Sequence, residues 1–582
     1  MKSLSISNSN LPERPGYGTL GRQIILRTNY FHLLPRADKK IFKYSVEIQP
    51  EVTAARKKRR IFELLLQNSP PIAAIGHGVA TDYSSTMLTS KELDLGADGR
   101  REVPLVYYDK EDVLPGQVFE PDQRTKRYKI MIQNTGYVAI PELLEYLDSN
   151  PAQLSSNSDA KLETIQALNI IMARTPNTTD NVVTSSGNKF YPYPSSFPDR
   201  RDRDGRILLE NTLGSGLVAL KGYYSSVRTS TLRVLLNVNV CTSAFYPAIN
   251  LWDLFRLRMS SPDYGKLEPF IKKLRVSTNH IKRNGASVTQ VKTIRGFSRP
   301  PRARGFYGTA KQIAFRCEDL PGVNPDQDIT VEQYYLKKYN IKLQQPGVAL
   351  IDVGTAEKAT YLPVELCRVL PEQMYRRKLT DDETAEMIKY AARPPQENAV
   401  SIMNRGLGVV GIFGNKNNLV HDAFGLKVEP RMITVNARIL ASPKILYKPG
   451  QDATPRDGSW NMIRIQFTVP VAIKDWSYIK FSLGSRRPDN QFKSDLEVFQ
   501  KTLKDCGLGN EPHRRLPRHE ADLTMDEKRN DEIIKGLLKE VAEKTPTKIL
   551  LIILPNTSAV TYARVKYWAD VVFGKSFRTV TS

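Results

Sequence analysis

Alternation of apolar and polar residues is clearest at 41–49, where IFKYSVEIQ predicts a β-strand with one buried face. The basic string ARKKRR at 55–60 then runs into an apolar stretch at 61–66. This order favours a helix with a solvated basic face, although such a string could also be a localisation signal or a nucleic-acid arm. Residues 176–206 and 450–458 are polar and aperiodic, which predicts loops or linkers.

Helical signals begin at residue 379, where Thr380 and Glu383 have the spacing of a capping box and Pro394-Pro395 ends the helix. The remainder predicts alternating strands and helices, listed in chain order: strand 478–481, helix 490–506, helix 531–544, strand 548–554 and helix 562–573. A nearly continuous apolar strand such as 548–554 needs cover on both faces, so we expect an open, parallel α/β sheet.

The length of 582 residues corresponds to several domains, and 40% hydrophobic content is globular. The net charge of +24 indicates a polyanionic partner, with nucleic acid first and anionic membrane second. Residues 271–316, here called the basic tract, hold twelve Lys or Arg and no Asp or Glu. Turn signals and short alternating pieces within the basic tract predict strands and loops, which argues against a membrane-surface helix.

Two constellations could bind such a partner. In TVEQYYLKKYN, helical spacing places Tyr334, Lys338 and Tyr339 on one edge, an arrangement suited to stacking single-stranded bases beside a cation. A core-facing aromatic stripe is an equally good interpretation. Tyr562 and Lys566 also lie four apart, on a helix that follows a parallel strand, where a phosphate could bind. By spacing alone, a packing Tyr and a surface Lys are favoured there.

Catalytic motifs are scarce. The histidines are scattered, no metal site can be read, and the four cysteines are far apart, so we expect neither a cofactor nor a metal. Gly406, Gly408 and Gly411 match GxGxxG, but no helix signal follows them, so a glycine-rich turn is favoured over a dinucleotide site. The N-terminus has no signal-peptide core, and the longest apolar run is too short to span a bilayer. We therefore expect a cytoplasmic, possibly also nuclear, protein without a membrane partner.

Six segments resemble the eukaryotic Argonaute family in that family's order. They are TNYFHL with KYSVEIQP, ALNIIMARTP, LGSGLVALKGYYSSVRTSTLRVLLNVNVCTSAFYP, TVEQYYLKKYNIKL, KATYLPVELCRVLPEQ with RKLTDDETAEMIKYAARPP, and LLIILP with TYARVKYWADVVFGK. Divergent loops suggest a fungal-type member. The resemblance implies a multidomain α+β and α/β fold, with an OB-like PAZ β-barrel and an incomplete Rossmann-like MID domain. Its implied domains are a disordered tail 1–20, N domain 21–150, linker 1 151–235, PAZ 236–360, linker 2 361–460 and partial MID 461–582.

The resemblance also implies site residues. Those expected to hold the 3′ end of a guide RNA in PAZ are His280, Phe315, Tyr334, Lys338, Tyr339, Lys358 and Leu362. Those expected to hold the 5′ phosphate in MID are Tyr562, Lys566 and Arg578, the last standing where the family has a glutamine.

The chain stops at Ser582, before the PIWI domain that carries the family's nuclease carboxylates. We therefore expect a chain that binds small guide RNA, with target RNA and silencing-complex proteins as further partners, and that is not an enzyme. Two alternatives stay open. One is a fragment of a full-length slicer endonuclease, and the other is a silencing scaffold that does not bind RNA.

Overall fold

The computed structural model describes residues 18–581 apart from short segments. Those segments are 111–112, 114–118, 124, 149–157, 198, 204, 231–232, 259–262, 284–285, 300–306, 318–319, 321–326, 356–357, 413–417, 475, 484–489, 510–519, 525, 545–546, 548, 556–557 and 574–576. The described residues form two compact units. One comprises residues 25–436, and the other comprises residues 437–581 together with 18–24.

The first part of the larger unit is a five-stranded antiparallel sheet in the order β4-β5-β3-β7-β6, with α1 in the same core. The elements up to residue 172 are β1 (Arg22–Arg27), β2 (Tyr30–Pro35), β3 (Phe42–Gln49), α1 (Ala55–Asn68), α2 (Pro70–Ala73), β4 (Val79–Thr81), β5 (Thr86–Thr89), β6 (Arg100–Val106), β7 (Arg127–Tyr137), α3 (Ile140–Asp148) and α4 (Ser158–Met172). The predicted strand at 41–49 is therefore confirmed.

Helix α1 forms where ARKKRR was expected to lie on a helix, but its basic face is only partly solvated, since Arg56 is exposed and Arg60 is buried. Arg60 is buried and donates to the backbone oxygen of Tyr108 over a 3.0 Å Nε–O distance. Arg59 lies 4.5 Å from the ring centroid of Tyr83, and Lys57 lies between the rings of Tyr107 and Tyr128. Three cations of this string, Lys57, Arg59 and Arg60, are therefore part of the packing of the domain.

A six-stranded sheet follows, in the order β20-β2-β11-β10-β9-β8, built around the long β10–β11 hairpin. The elements of this part are α5 (Arg174–Thr178), β8 (Val182–Ser185), β9 (Lys189–Pro192), β10 (Val218–Ser230), β11 (Arg233–Phe245), α6 (Leu251–Arg258) and α7 (Tyr264–Ile271). The prediction of a loop throughout 176–206 was wrong, because β8 and β9 form there and β9 pairs with β10. The polar composition of this segment gave no strand signal, although Phe190 and Tyr191 of the hairpin are buried.

Three short antiparallel sheets, β13-β12-β19, β14-β17-β18 and β15-β16, form the next part. Its elements are β12 (Arg275–Arg283), β13 (Ala286–Thr293), β14 (Gly296–Phe297), β15 (Ala314–Phe315), β16 (Ile329–Thr330), α8 (Val331–Tyr339), β17 (Ile351–Asp352), β18 (Tyr361–Leu362) and β19 (Arg368–Val369). The basic tract thus consists of strands and loops, as predicted, and buried side chains from the first two sheets share one core.

The rest of the larger unit is mainly helical. Its elements, of which β21 extends past the end of the unit, are α9 (Asp381–Ala391), α10 (Pro395–Ser401), α11 (Leu407–Val409), α12 (Leu419–Phe424), β20 (Leu426–Val428) and β21 (Thr434–Ile439). The capping box of Thr380 and Glu383 is present at the start of α9. Gly406 ends a π-helical segment, and a Cβ placed there would lie 2.8 Å from the Tyr223 ring. Gly406 therefore permits close packing of helical backbone and Gly408 is also helical, which corrects the prediction of a turn there, whereas Gly411 lies in a turn at φ 82°, as predicted.

The smaller unit contains the expected parallel sheet, in the order β25-β24-β26-β27. Its elements are β22 (Ile445–Leu446), β23 (Asp452–Ala453), β24 (Trp476–Leu483), α13 (Asn490–Asp505), β25 (Glu520–Leu523), α14 (Glu527–Lys544), β26 (Ile549–Leu554), α15 (Ala559–Lys566) and β27 (Phe577–Thr581). Side chains of α14 and α15 complete the core on this sheet. Among the described helices of both units, none combines the length and apolar character needed to cross a membrane.

Candidate functional site

Helix α8 carries three of the predicted site residues. A capping box of Thr330 and Gln333 starts the helix, and Asn340 ends it in the left-handed conformation at φ 54°. Tyr335 is 4% exposed and belongs to the core, whereas Tyr334 and Tyr339 are half-buried and Lys338 is exposed. The core-facing interpretation therefore applies to Tyr335. The side chains of Tyr334, Lys338 and Tyr339 lie at the surface edge of the helix.

Aromatic rings and one cation meet at this edge. The Phe315 ring on β15 lies 5.2 Å from the Tyr334 ring, and the Tyr334 ring lies 5.8 Å from that of Tyr339. Lys338 Nζ lies 5.0 Å and 6.0 Å from the centroids of the two tyrosine rings. With His280, described next, these four residues are called the α8 cluster.

His280 approaches the cluster from β12. Its ring lies 4.9 Å from the Tyr339 ring and 5.2 Å from the Tyr335 ring. Burial lowers the pKa of the imidazole, so the ring is neutral at pH 7. Its Nδ1 is buried and has no hydrogen-bond partner among the described residues. An unsatisfied buried nitrogen beside half-exposed rings is uncommon and marks this ring as a candidate ligand contact.

Hydrogen bonding sets the charge of the remaining groups. A hydrogen bond to Tyr334 is the main cause that raises the pKa of Lys338, and the nearby tyrosine phenols contribute less. The ammonium therefore stays charged. Burial, together with a hydrogen bond to Tyr334, raises the pKa of Tyr339 to about 12. At neutral pH the α8 cluster therefore has neutral rings and one positive charge, with no described carboxylate in ion-pair contact with Lys338.

The other two predicted 3′-end residues take different positions. Lys358 is exposed in the loop between β17 and β18, where its backbone N–H donates to Thr355 Oγ1. Leu362 is 8% exposed and packs in the core of the sheets. Its neighbour Tyr361, which the sequence argument did not include, packs against the same small core as Tyr334 and Tyr339. Tyr361 directly precedes the predicted site residue Leu362, so its adjacency in sequence is the signal that could have identified it.

The basic tract is partly neutralised. Arg299 pairs with Glu268 over 2.6 Å, Arg295 lies 3.7 Å from Asp352, and Arg316 lies 3.9 Å from Asp328. Other cations of the tract have no carboxylate within 4 Å among the described residues: Lys272, Lys273, Lys292 and Lys311. The absence of carboxylates from the sequence of the tract therefore did not prevent pairing with carboxylates from elsewhere in the fold.

In the smaller unit, Tyr562 and Lys566 lie on one face of α15, one turn apart. Ser558 caps this helix by accepting from the Thr561 N–H. Tyr562 is 45% exposed, and Lys566 forms an ion pair with Asp570 one turn further on. Arg578 lies in β27, opposite Leu551 of β26, and its side chain is outside the described residues.

Metal ligation has no support in the described part of the chain, where no group of three or more His, Cys, Asp or Glu could hold an ion. The cysteines are all free thiols.

Comparison with known proteins defines the class of the chain first. A PAZ domain model matches residues 256–388, which include the whole α8 cluster. The N-terminal domain of argonaute matches residues 22–172, the Argonaute linker 1 domain matches 185–247, and the Argonaute linker 2 domain matches 397–447. The chain is thus a PAZ-containing multidomain protein. With the N-terminal domain, linker 1, PAZ and linker 2 following one another along the chain, it belongs to the Argonaute family.

Individual relatives agree with this assignment. Protein argonaute 5 of Arabidopsis thaliana is 26% identical over 580 residues, which are 97% of this chain and 52% of that protein. The crystal structure of Kluyveromyces polysporus Argonaute with a guide RNA superposes with a TM-score of 0.62 at 18% identity, covering 98% of this chain and 64% of that one. The chain therefore spans about half the length of the curated relative. The plant relative does not support the expectation of a fungal type.

Proposed function

We propose that this chain binds a small single-stranded guide RNA and holds its 3′ end at the α8 cluster. The observation that supports the proposal is that five predicted side chains, from β12, β15 and α8, meet in one place. They include one cation, Lys338, and one imidazole, His280, whose Nδ1 has no hydrogen-bond partner among the described residues. The fold similarity to an Argonaute solved with a guide RNA supports the choice of ligand.

Each member of the α8 cluster has a chemical role in this proposal. Phe315 and Tyr334 offer half-exposed rings on which a terminal base can stack, at about 1–3 kcal/mol per base. Lys338 supplies a charge for the last phosphate. The neutral His280 ring offers its unpartnered Nδ1 to a hydroxyl or phosphate oxygen of the strand. Lys358, exposed in the loop between β17 and β18, adds a further cation.

For the 5′ phosphate we propose a weaker site at Tyr562, Lys566 and Arg578, in a MID-type domain. The parallel sheet and the capped helix α15 support this, because phosphate groups bind beside helix N-termini at such sheet edges. Lys566 is paired with Asp570, so a phosphate must compete with that carboxylate for the ammonium. Competition of this kind is the reason we expect the 5′ site to contribute less than the 3′ site.

The test compares Tyr334→Ala with Tyr137→Ala, a matched control at a tyrosine that is 63% exposed on β7. Fluorescence anisotropy would measure the affinity of each variant for short RNA with a free 3′ hydroxyl and with a 3′ phosphate. Loss of one stacked base should lower the affinity of Tyr334→Ala for 3′-hydroxyl RNA about 5- to 100-fold. The control should bind as the parent chain does.

Equal affinity for the two RNA ends, or no effect of Tyr334→Ala, would contradict the 3′-end assignment. Retained association with silencing partners and no RNA affinity would favour the scaffold alternative. Binding without cleavage is part of the proposal, so a matched target RNA should stay intact in the presence of guide and Mg²⁺. A cleaved target would contradict this part of the proposal.

A further inference from the structure

One face of the six-stranded sheet is open to solvent near the end of the β10–β11 hairpin. Cross-strand pairing places Tyr30, Asn237 and Ser226 in one row, and His32, Leu235 and Arg228 in the next. The intervening residues, such as Phe31 and Leu236, point to the opposite face and are fully buried. Strand alternation therefore separates a core face from a polar face, here called the hairpin face.

The hairpin face carries cations without acidic partners. Lys189 lies directly opposite Tyr224, Arg228 and Arg233 lie near the hairpin end, and Lys427 lies opposite Leu34. All four of these cations are exposed. Within the described residues, no carboxylate lies within 4 Å of any of them. Unlike the basic tract, which is partly neutralised, this surface keeps the charge of all four cations available for a partner.

Arg228 is held in place by neutral groups. Its guanidinium donates to Tyr224 Oη over 3.1 Å and to Ser226 Oγ over 3.2 Å, all on one strand. A hydrogen bond from Ser226, followed by the charges of Arg228 and Lys189, lowers the pKa of the Tyr224 hydroxyl. Arg228 on β10 and Lys189 on β9 are therefore both neighbours of Tyr224, and fixing Arg228 in advance reduces the entropy that ligand binding would cost.

We propose that the hairpin face is a second nucleic-acid contact, which binds phosphates of a single RNA strand through Arg228, Lys189 and the Tyr224 hydroxyl. The face belongs to the six-stranded sheet, whereas the α8 cluster belongs to the short sheets that follow. Hydroxyl, amide and aromatic groups between the cations suit a sugar-phosphate backbone better than an acidic peptide. The identity of the strand as RNA rests on the proposed function, but the site does not depend on the 3′ end.

The experiment uses the full chain and a short single-stranded RNA with a 3′ phosphate, so that the α8 cluster contributes little. Affinity is measured by anisotropy at several salt concentrations for the parent, Arg228→Gln, Lys189→Gln and Lys129→Gln. The last is the matched control, because Lys129 is a strand lysine already paired with Glu102 over 3.0 Å. Thermal unfolding checks that each exposed-site variant keeps the fold.

Arg228→Gln and Lys189→Gln should each lower the affinity about 3- to 10-fold and reduce the slope of log K against log salt by about 0.7. The control should leave both quantities unchanged. Unaltered affinity and slope in both test variants would overturn the proposal, as would displacement of the RNA by polyglutamate at equal charge concentration. A failure of the proposed function is distinct, since it would abolish the effect of Tyr334→Ala on 3′-hydroxyl RNA and leave these results in place.

Discussion

At the scale of single residues, burial gives the histidines of this chain different chemistry. His421 on α12 is 4% exposed, and its Nε2 is buried without a described hydrogen-bond partner. Burial lowers its pKa to about 4, and the charge of neighbouring Asp422 opposes this only in part. His77, in contrast, is exposed. A buried neutral imidazole makes folding sensitive to acid.

We predict that acid weakens the larger unit through His421. The folded pKa lies below the ordinary value, so the contribution of His421 to stability is complete above pH 6.5 and is lost as the pH falls towards 4. The full loss is about 3 kcal/mol, from about 1.4 kcal/mol per unit of pKa. Denaturant unfolding at a series of pH values should show a smaller acid-dependent loss for His421→Gln than for the parent. His77→Gln is the control, and an unchanged pH profile for His421→Gln would contradict the prediction.

Residue identity and spacing predicted part of the α8 cluster and could not predict the rest. Tyr334 and Tyr335 are adjacent, and the sequence alone does not say which ring enters the core. The choice depends on Ile313, Leu343 and Leu350, which pack against Tyr335 from other parts of the chain. The approach of His280 from β12 likewise depends on how that strand packs in the fold, which local spacing does not encode.

At the scale of elements, helix α9 combines a local signal with a distant one. Glu383 accepts from the Thr380 N–H in the capping box, over 2.9 Å, and is fully buried. It also accepts a hydrogen bond from Arg258 at the end of α6, whose guanidinium lies 4.4 Å from the Phe270 ring centroid. One carboxylate therefore starts a helix and ties it to another helix.

We predict that Glu383→Ala destabilises the fold by about 3–5 kcal/mol, because it leaves Arg258 as a mostly buried charge without its partner. Glu386→Ala is the control on the same helix, since Glu386 forms only a surface pair with Lys389 and should cost about 0.5 kcal/mol or less. Denaturant unfolding measures both. The double variant Glu383→Ala with Arg258→Ala should lose less stability than the sum of the two single variants. Strict additivity of the two losses would show that the residues are not coupled.

Elements with strong local signals were predicted well. The capping box of α9, the apolar strand β26 and the parallel sheet around it followed from periodicity and flanking residues. The hairpin β8–β9 was missed because its short strands lie within a polar, Pro-rich segment and its pairing partner, β10, is distant in sequence. Tertiary pairing thus decided a segment for which local preference was weak.

At the scale of the whole molecule, the net charge of +24 does not measure the charge that a polyanion can reach. Arg295, Arg299 and Arg316 of the basic tract are paired with carboxylates, whereas the cations of the hairpin face are not. The sequence predicted the sign of the partner from this total. It could not place the accessible charge, because pairing across the fold depends on tertiary structure.

We predict that RNA affinity falls about 100-fold between about 50 and 200 mM KCl, as expected when about five phosphates of a single strand are neutralised. Anisotropy titrations with the full chain measure this dependence. A peptide nucleic acid of the same base sequence, which has no phosphates, is the control and should bind weakly at both concentrations. A loss of less than about tenfold would mean that stacking dominates over phosphate contacts.

The packing of α1 has a consequence for experiments that seek the nucleic-acid surface. Arg59 and Arg60 lie against Tyr83 and Tyr108, and Lys57 is close to two further rings. An alanine or glutamate scan that targets the densest run of basic letters would begin with this helix and would damage the first domain. The resulting drop in binding would look like a lost contact even if no RNA touched those residues. Substitutions chosen by solvent accessibility instead of by sequence density avoid this false positive.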